Sequence, residues 1–317
     1  MSRPTLDPAR LNGPNRTGVA AARRVTELGL DGRQRGGKWK GGVFKALLIL
    51  CLVLAFVTLL AVIVQAFARG LPRLDLNLIT QMPSTLDRET SGMQSAIFGT
   101  IYVMVGVVVT VVPIGVSAAI YLEEFADHTK AWVRFIELNI QNLAAVPSIV
   151  FGILGLAFIV RGPLSLGPVA YAGSLTLALL VLPTVILAAR EAIRAVPNSL
   201  RLGSMGLGAT QWQTIWHHVL PAAVPGIVTG TILALSRAIG ETAPLLLVGA
   251  TVFVTYNPDG FFDGAYTVLP VQIFQWAVRP QEEFRILAAA GIILLLGVLL
   301  AMNSVAIWIR NRFTREL

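Results

Sequence analysis

Arg237 and Glu241 are the residues of this 317-residue chain whose types and spacing point most directly to chemistry. They stand four apart in Leu235-Ser236-Arg237-Ala238-Ile239-Gly240-Glu241-Thr242-Ala243-Pro244, so a helix sets both on one face about one turn from each other. The surrounding run is apolar. An arginine at the centre of a bilayer costs about 2.5–3.5 kcal/mol even on the lenient insertion scale, so a segment that merely spans would carry leucine there. Two readings account for the pair. In one, the opposite charges compensate each other's desolvation and fix helix packing. In the other, the pair faces a polar cavity: a guanidinium is permanently charged and its fork matches a tetrahedral oxyanion such as phosphate. Glu241 would then hold Arg237 in place, or accept a hydrogen bond from a protonated phosphate oxygen, which fully deprotonated sulfate does not offer. Thr242 lies beside the pair. Gly240 and Pro244 are expected to loosen the helix around it, as a hinge or by allowing close helix packing.

The elements that must carry this pair are set by composition. Charged residues make up 13% of the chain and hydrophobic residues 55%, with a mean hydropathy of +0.71. A soluble chain carries about 25% charged residues, so much of this chain's solvent is lipid. Cys51 is the one cysteine and there are three histidines, which excludes an internal disulfide framework and leaves little for a metal site. Windows of about 20 apolar residues predict six spans, near 44–67, 97–122, 138–160, 169–189, 222–250 and 286–309. Pro147, Pro183, Pro225 and Pro244 predict kinks in the third to fifth spans. The first span is too long for a signal core and follows a long tail, so it reads as an uncleaved anchor.

Lysine and arginine set the expected orientation. Eighteen lie in the tail, the even-numbered loops and the C-terminus, against six in the odd-numbered loops, which places both termini in the cytoplasm. The net charge of +8 is therefore mostly topology rather than a nucleic-acid footprint. The loop holding Glu123, Glu124, Asp127 and Glu137 is assigned to the same side, and its acidity has no explanation in the sequence. The organisation expected is a disordered basic tail over 1–43, an anchor helix over 44–67, an external loop over 68–95 and a core over 96–317. Within the tail, Gly32-Arg33-Gln34-Arg35-Gly36-Gly37-Lys38 fits G-x-x-x-x-G-K, but Trp39 follows where a magnesium-binding Ser or Thr belongs, so it is a chance match.

Between the fourth and fifth spans, residues 190–221 form an amphipathic inside loop. Pro197-Asn198-Ser199 signals a helix start. Small residues alternate with apolar knobs from Leu202 to Ala209, and Gly208 suits a sharp turn with positive φ. Trp212, Ile215 and Trp216 follow at helical spacing. The composition fits either a surface for a partner's close approach or an interfacial helix with headgroup tryptophans.

Three stretches together resemble a known family. Gly203-Ser204-Met205-Gly206-Leu207-Gly208-Ala209-Thr210-Gln211-Trp212-Gln213-Thr214-Ile215, closing in Val219-Leu220-Pro221, resembles the coupling loop of bacterial ABC importer permeases. Arg237-Ala238-Ile239-Gly240-Glu241-Thr242-Ala243-Pro244-Leu245-Leu246 is similar to the signature of the phosphate-specific permeases. Leu269-Pro270-Val271-Gln272-Ile273-Phe274 and Asn311-Arg312-Phe313 resemble the PstA-type rather than the PstC-type subunit. The resemblance covers about 90–317. It departs from the family at Leu202, where the coupling-loop glutamate stands, and at His218, where the isoleucine of I-x-L-P stands.

The resemblance implies an all-α integral membrane protein with six transmembrane helices in the type I importer (MetI-like) permease fold, in a bacterial plasma membrane. It implies a non-catalytic subunit of an ATP-driven phosphate importer that pairs with a second, PstC-type permease. Two ATPase subunits would dock on Leu202, Gly203, Ser204, Gly208, Ala209, Leu220 and Pro221. An extracytoplasmic phosphate-binding protein would dock at the external loop around Asn257, Asp259 and Phe261. The chain itself would need no cofactor, ATP and magnesium being bound by the ATPase subunits. With Leu202 in place of glutamate, coupling is expected to rest on shape and apolar contact. Other classes fit less well: a permease for molybdate or sulfate, an ion-coupled carrier using Glu241 as its proton site, or a membrane scaffold. A carrier acting alone would have no use for the coupling-like loop, and a scaffold none for Arg237.

Overall fold

The computed structural model describes residues 38–87, 89–250 and 253–314. Most of the basic tail, with most of the G-x-x-x-x-G-K match, lies outside the described residues. Among the described residues all regular structure is helical. The chain divides into two compact units after Val64.

The first unit holds most of α1 (Lys38–Gly70), an apolar helix with an 18-residue stretch of mean hydropathy 3.4. The full 33-residue helix, at about 1.5 Å per residue, exceeds the hydrocarbon thickness.

The second unit begins with the last turn of α1 and a short 3-10 turn. There Gly70 lies so close to Ala289 that an added Cβ would stand 2.7 Å from its carbonyl carbon. Next come α2 (Leu76–Thr80), capped by Asp75, and α3 (Gln94–Ile120), which runs on through a π-helical turn, Tyr121–Phe125. Helices α4 (Ala131–Ala144) and α5 (Ser148–Leu154) follow, the latter extended by a π-helical turn to Val160. Then come α6 (Ala170–Arg194), α7 (Asn198–Gly206) and α8 (Gln211–Thr214), with a π-helical turn at Ile215–Val219 leading into α9 (Leu220–Ile239). The chain closes with α10 (Ala243–Val248), α11 (Leu269–Ala277) and α12 (Glu282–Thr314).

Among the described residues, five helices are long and apolar enough to cross a membrane, or six if the bent pair α4–α5 counts as one span. That pair bears out the kink expected at Pro147 in the third span, 138–160, and makes it a break between two helices, the first of which begins earlier, at Ala131. The two parts meet at 105°. The residue before a proline is pushed out of the α region, so α4 closes at Ala144 and Pro147 opens α5 in an extended conformation, φ −56° and ψ 136°. The kinks expected at Pro183 and Pro225 are not breaks, because α6 and α9 run through them, as α3 does through Pro113. Pro244 sits in the first turn of α10, where its missing N–H is no loss. The fifth predicted span is thus two helices, α9 and α10, separated by Gly240-Glu241-Thr242.

Helix α6 is the axle. Two thirds of its apolar window is buried, and Leu177, Val181 and Val185 join Val103, Val107 and Val111 of α3 in the main core cluster. Small residues bring α9 against it: a Cβ on Gly230 would stand 2.5 Å from the Ala188 Cβ, and one on Gly226 2.7 Å from that of Ala192. In lipid, where apolar burial no longer drives association, such close backbone approach holds helices together. Polar contacts add to it. Ser174 Oγ donates within reach of the Val103 carbonyl at 3.0 Å, and Ser236 Oγ donates to Asn303 Oδ1 of α12 at 2.9 Å.

Candidate functional site

Arg237 lies in the last turn of α9, on a stripe with Leu233 and Gly240 that the rest of the chain leaves exposed. The opposite face, with Ala234, Leu235 and Ala238, is in the core. Glu241 sits in the break beyond, where Gly240 N–H and Glu241 N–H donate to the carbonyls of Arg237 and Ala238. The Arg237 Nε stands 3.6 Å from Glu241 Oε1, and the side chains are 56% and 17% exposed. This is ion-pair contact without a short hydrogen bond. Thr242 opens α10, its carbonyl accepting from Leu246 N–H. Pro244 is buried against α5: a Cβ on Gly152 would stand 2.7 Å from the Pro244 Cα, so only glycine lets α10 pack there. Glu241 and Thr242 are thus held on a fixed support, while Arg237 reaches out.

The loop 190–221 is a helical hairpin. The Thr210 hydroxyl accepts from Gln213 N–H and the Gln213 side chain accepts from Thr210 N–H, a capping box that starts α8. Gly208, at φ +92° with nothing within 4 Å, turns the chain between α7 and α8. Of the docking residues expected here, Leu202 is 62% exposed, Gly203 and Pro221 are exposed, and Ala209 and Leu220 are half-buried. Ser204 is buried instead, its hydroxyl 3.0 Å from that of Thr214, so it pins α7 to the following turn rather than offering a surface. Met205 and Leu207, 43% and 93% exposed, extend the apolar surface around Leu202. Trp212 and Trp216 stack at 5.8 Å and 12°, with Phe125 beside Trp212.

The acidic segment that the sequence leaves unexplained is tied to the end of α6 and to this hairpin. Glu123 accepts from Arg190 Nε and from Arg194, both at 2.7 Å, and Arg190 also reaches Glu137 at 2.5 Å. Arg190 and Glu123 are only 5% and 8% exposed in their side chains. Glu124 accepts from both Nε and Nη2 of Arg201 in α7, at 3.1 and 2.7 Å. Arg201 in turn donates to the carbonyls of Ile193, near the end of α6, and of Val196 just beyond it. The Gln211 side chain donates to the Glu124 carbonyl. Asp127 stands apart, and hydrogen bonds from the Thr129 hydroxyl and N–H hold its carboxyl below the usual range. None of these partners is visible in the sequence, because Glu123 and Glu124 lie more than 60 residues from the arginines they meet.

In the loop before α11, Asp259 is exposed and Asn257 is half-buried. Phe261 turns inward: its ring packs edge-on to Tyr102 at 5.0 Å and its carbonyl accepts from Tyr171 N–H at 2.9 Å. It anchors the loop to α3 and α6, while Phe262 beside it is 60% exposed with its ring 4.8 Å from that of Tyr171.

Residues 111–315 match the family described as binding-protein-dependent transport system inner membrane component. The chain belongs to that family. The permease is 30% identical over 283 residues to the phosphate transport system permease protein PstA of Yersinia pestis, covering 87% of this chain and 93% of the relative. It is 35% identical over 227 residues to PstA 1 of Mycobacterium tuberculosis, covering 71% of this chain and 72% of the relative. Solved structures match its fold at lower identity. A chain of a bacterial alginate ABC transporter, crystallised with a pentasaccharide-bound periplasmic protein, aligns with a TM-score of 0.59 at 15% identity, over 88% of this permease and 98% of that chain. One from the MetNI methionine ABC transporter aligns with a TM-score of 0.50 at 17% identity, over 67% and 91%. The permease therefore has the MetI-like helical fold and is a multi-pass inner-membrane component.

Proposed function

We propose that this permease is the PstA-type subunit of an ATP-driven importer of inorganic phosphate, forming half of the translocation pathway. The observation that carries the reading is the asymmetry of Arg237 and Glu241 at the break between α9 and α10. Glu241 is supported by its own chain while the Arg237 side chain is more than half exposed at the end of an uncovered stripe of α9. The second half of the pathway, a PstC-type permease, would cover that stripe. A guanidinium there offers an oxyanion charge-assisted hydrogen bonds in a setting of low polarity. The PstA relatives, similar along most of their length, support phosphate as the anion.

Two ATPase subunits dock on the pair of hairpins, this chain contributing the surface around Leu202, Gly203, Met205 and Leu207. They bind ATP and magnesium, and the permease performs no covalent chemistry and needs no cofactor of its own. Both termini lie in the cytoplasm, and the binding protein docks on the opposite face near Asn257, Asp259 and Phe262. ATP binding draws the ATPase subunits together, moves the hairpins and exchanges one global state of the pathway for the other.

The test is ATP-dependent uptake of labelled phosphate by the assembled transporter in proteoliposomes, with unlabelled phosphate, molybdate and sulfate as competitors. Phosphate alone is expected to compete at low concentration. Uptake of molybdate or sulfate with no phosphate uptake would overturn the assignment.

A further inference from the structure

The hairpin is joined to α9, which bears Arg237, by the chain itself through the turn at Ile215–Val219. Its connection to α3 is made by side chains, and most of them converge on one residue. We propose that Glu124 is the positioning residue that makes α3 move with the hairpin, so that both helices answer one push from an ATPase subunit. The proposal rests on the reading of this chain as the permease of a phosphate importer.

Glu124 is the penultimate residue of the π-helical turn that extends α3, and its side chain is 8% exposed. Its carboxylate takes two hydrogen bonds from Arg201, which belongs to α7, and its carbonyl takes one from Gln211, the first residue of α8. Both arms of the hairpin are therefore held by one residue of α3. Arg201 is itself held by the carbonyls of Ile193 and Val196, so swinging away from Glu124 would also strain two further hydrogen bonds. Two N–H groups of the guanidinium, at Nε and Nη2, close on one carboxylate oxygen, Oε1, and together set orientation as well as distance. Apolar contact between α7 and α3 would leave the hairpin free to slide. Glu123, one residue earlier, is bound to Arg190 and Arg194 of α6 instead, and so ties α3 to the axle rather than to the hairpin. Adjacent carboxylates thus serve different partners. The cleft between these groups, about 500 Å³ and also lined by Pro197 and Asn198, leaves room for the hairpin to move.

The experiment uses the complete transporter with its ATPase subunits and binding protein in proteoliposomes. Wild type is compared with Glu124→Gln, with Arg201→Glu, and with the exchange Glu124→Arg plus Arg201→Glu. Phosphate taken up per ATP hydrolysed is read together with the phosphate KM and complex assembly. Glu124→Gln is expected to assemble, hydrolyse ATP and keep its KM, while uptake per ATP falls roughly tenfold, a coupling loss of typical size. The exchange is expected to recover a substantial part of that ratio where Arg201→Glu alone does not. An unchanged ratio in Glu124→Gln overturns the proposal, and so does a fall in uptake that only follows lost assembly. The stimulation of ATPase activity by the binding protein, read in the same vesicles, is also expected to drop in Glu124→Gln, and it does not depend on which solute crosses. A wild type that stimulates but imports no phosphate would thus contradict the substrate and leave the role of Glu124 measurable.

Discussion

Arg237 Nε and Glu241 Oε1 stand 3.6 Å apart where α9 ends, with 56% of the arginine side chain uncovered and 17% of the glutamate's. The same chain offers a standard for comparison. Arg190 and Glu123 meet at 2.7 Å with 5% and 8% exposure, and Arg190 is closed off by a second carboxylate, Glu137. That arrangement is what a pair kept for packing looks like. The Arg237 pair is longer, open on one side, and placed at a helix break rather than within a packed face. That geometry leaves the guanidinium accessible to a group outside this chain.

Removing Arg190 should be severe. Arg190→Met leaves Glu123 and Glu137 without their shared cation, and breaking a buried pair from one side costs about 3–5 kcal/mol. The expected outcome is loss of monodisperse complex in detergent and faster proteolysis. Arg194→Ala, at a side chain 54% exposed, should change either by little.

At Gly208 the backbone dictates the residue. With φ at +92° and open space around it, a side chain meets strain rather than a clash. Gly208→Val should cost about 1–2 kcal/mol and loosen the hairpin, whereas asparagine enters that region more readily. Co-purification of the ATPase subunits should fall for valine and stay near wild type for Gly208→Asn.

Leu207 tests the surface rather than the fold. It is 93% exposed in this chain, so Leu207→Asp should shift permease stability by less than about 0.5 kcal/mol. If the hairpin docks the ATPase by apolar contact, the same change should markedly reduce ATPase binding in a pull-down. Unaltered binding would move the docking surface elsewhere.

Much of this was legible in the sequence because lipid enforces simple rules. Apolar length marked the spans, and a charged pair within one of them marked the candidate site. Gly208 and Pro197-Asn198-Ser199 punctuated the hairpin as turn chemistry predicts. What was hidden depended on distant partners. Nothing local separates Pro147, which accompanies a 105° bend, from Pro183 and Pro225, which helices pass through. Ser204 reads as a surface residue until Thr214 is seen opposite it, and Phe261 until Tyr102 is. The acidic segment made sense only once α3 and α6 ended side by side, bringing Glu123 and Glu124 to arginines far along the chain.

The central claim is that the open guanidinium of Arg237 belongs to the anion path. The direct measurement is ATP-dependent phosphate uptake by proteoliposomes holding the complete transporter, wild type against Arg237→Gln, with assembly and ATPase activity read in the same preparations. The account predicts that uptake collapses while the complex still assembles and hydrolyses ATP. Uptake at the wild-type rate in Arg237→Gln would contradict it, making the pair a packing device and placing the anion's route on other residues.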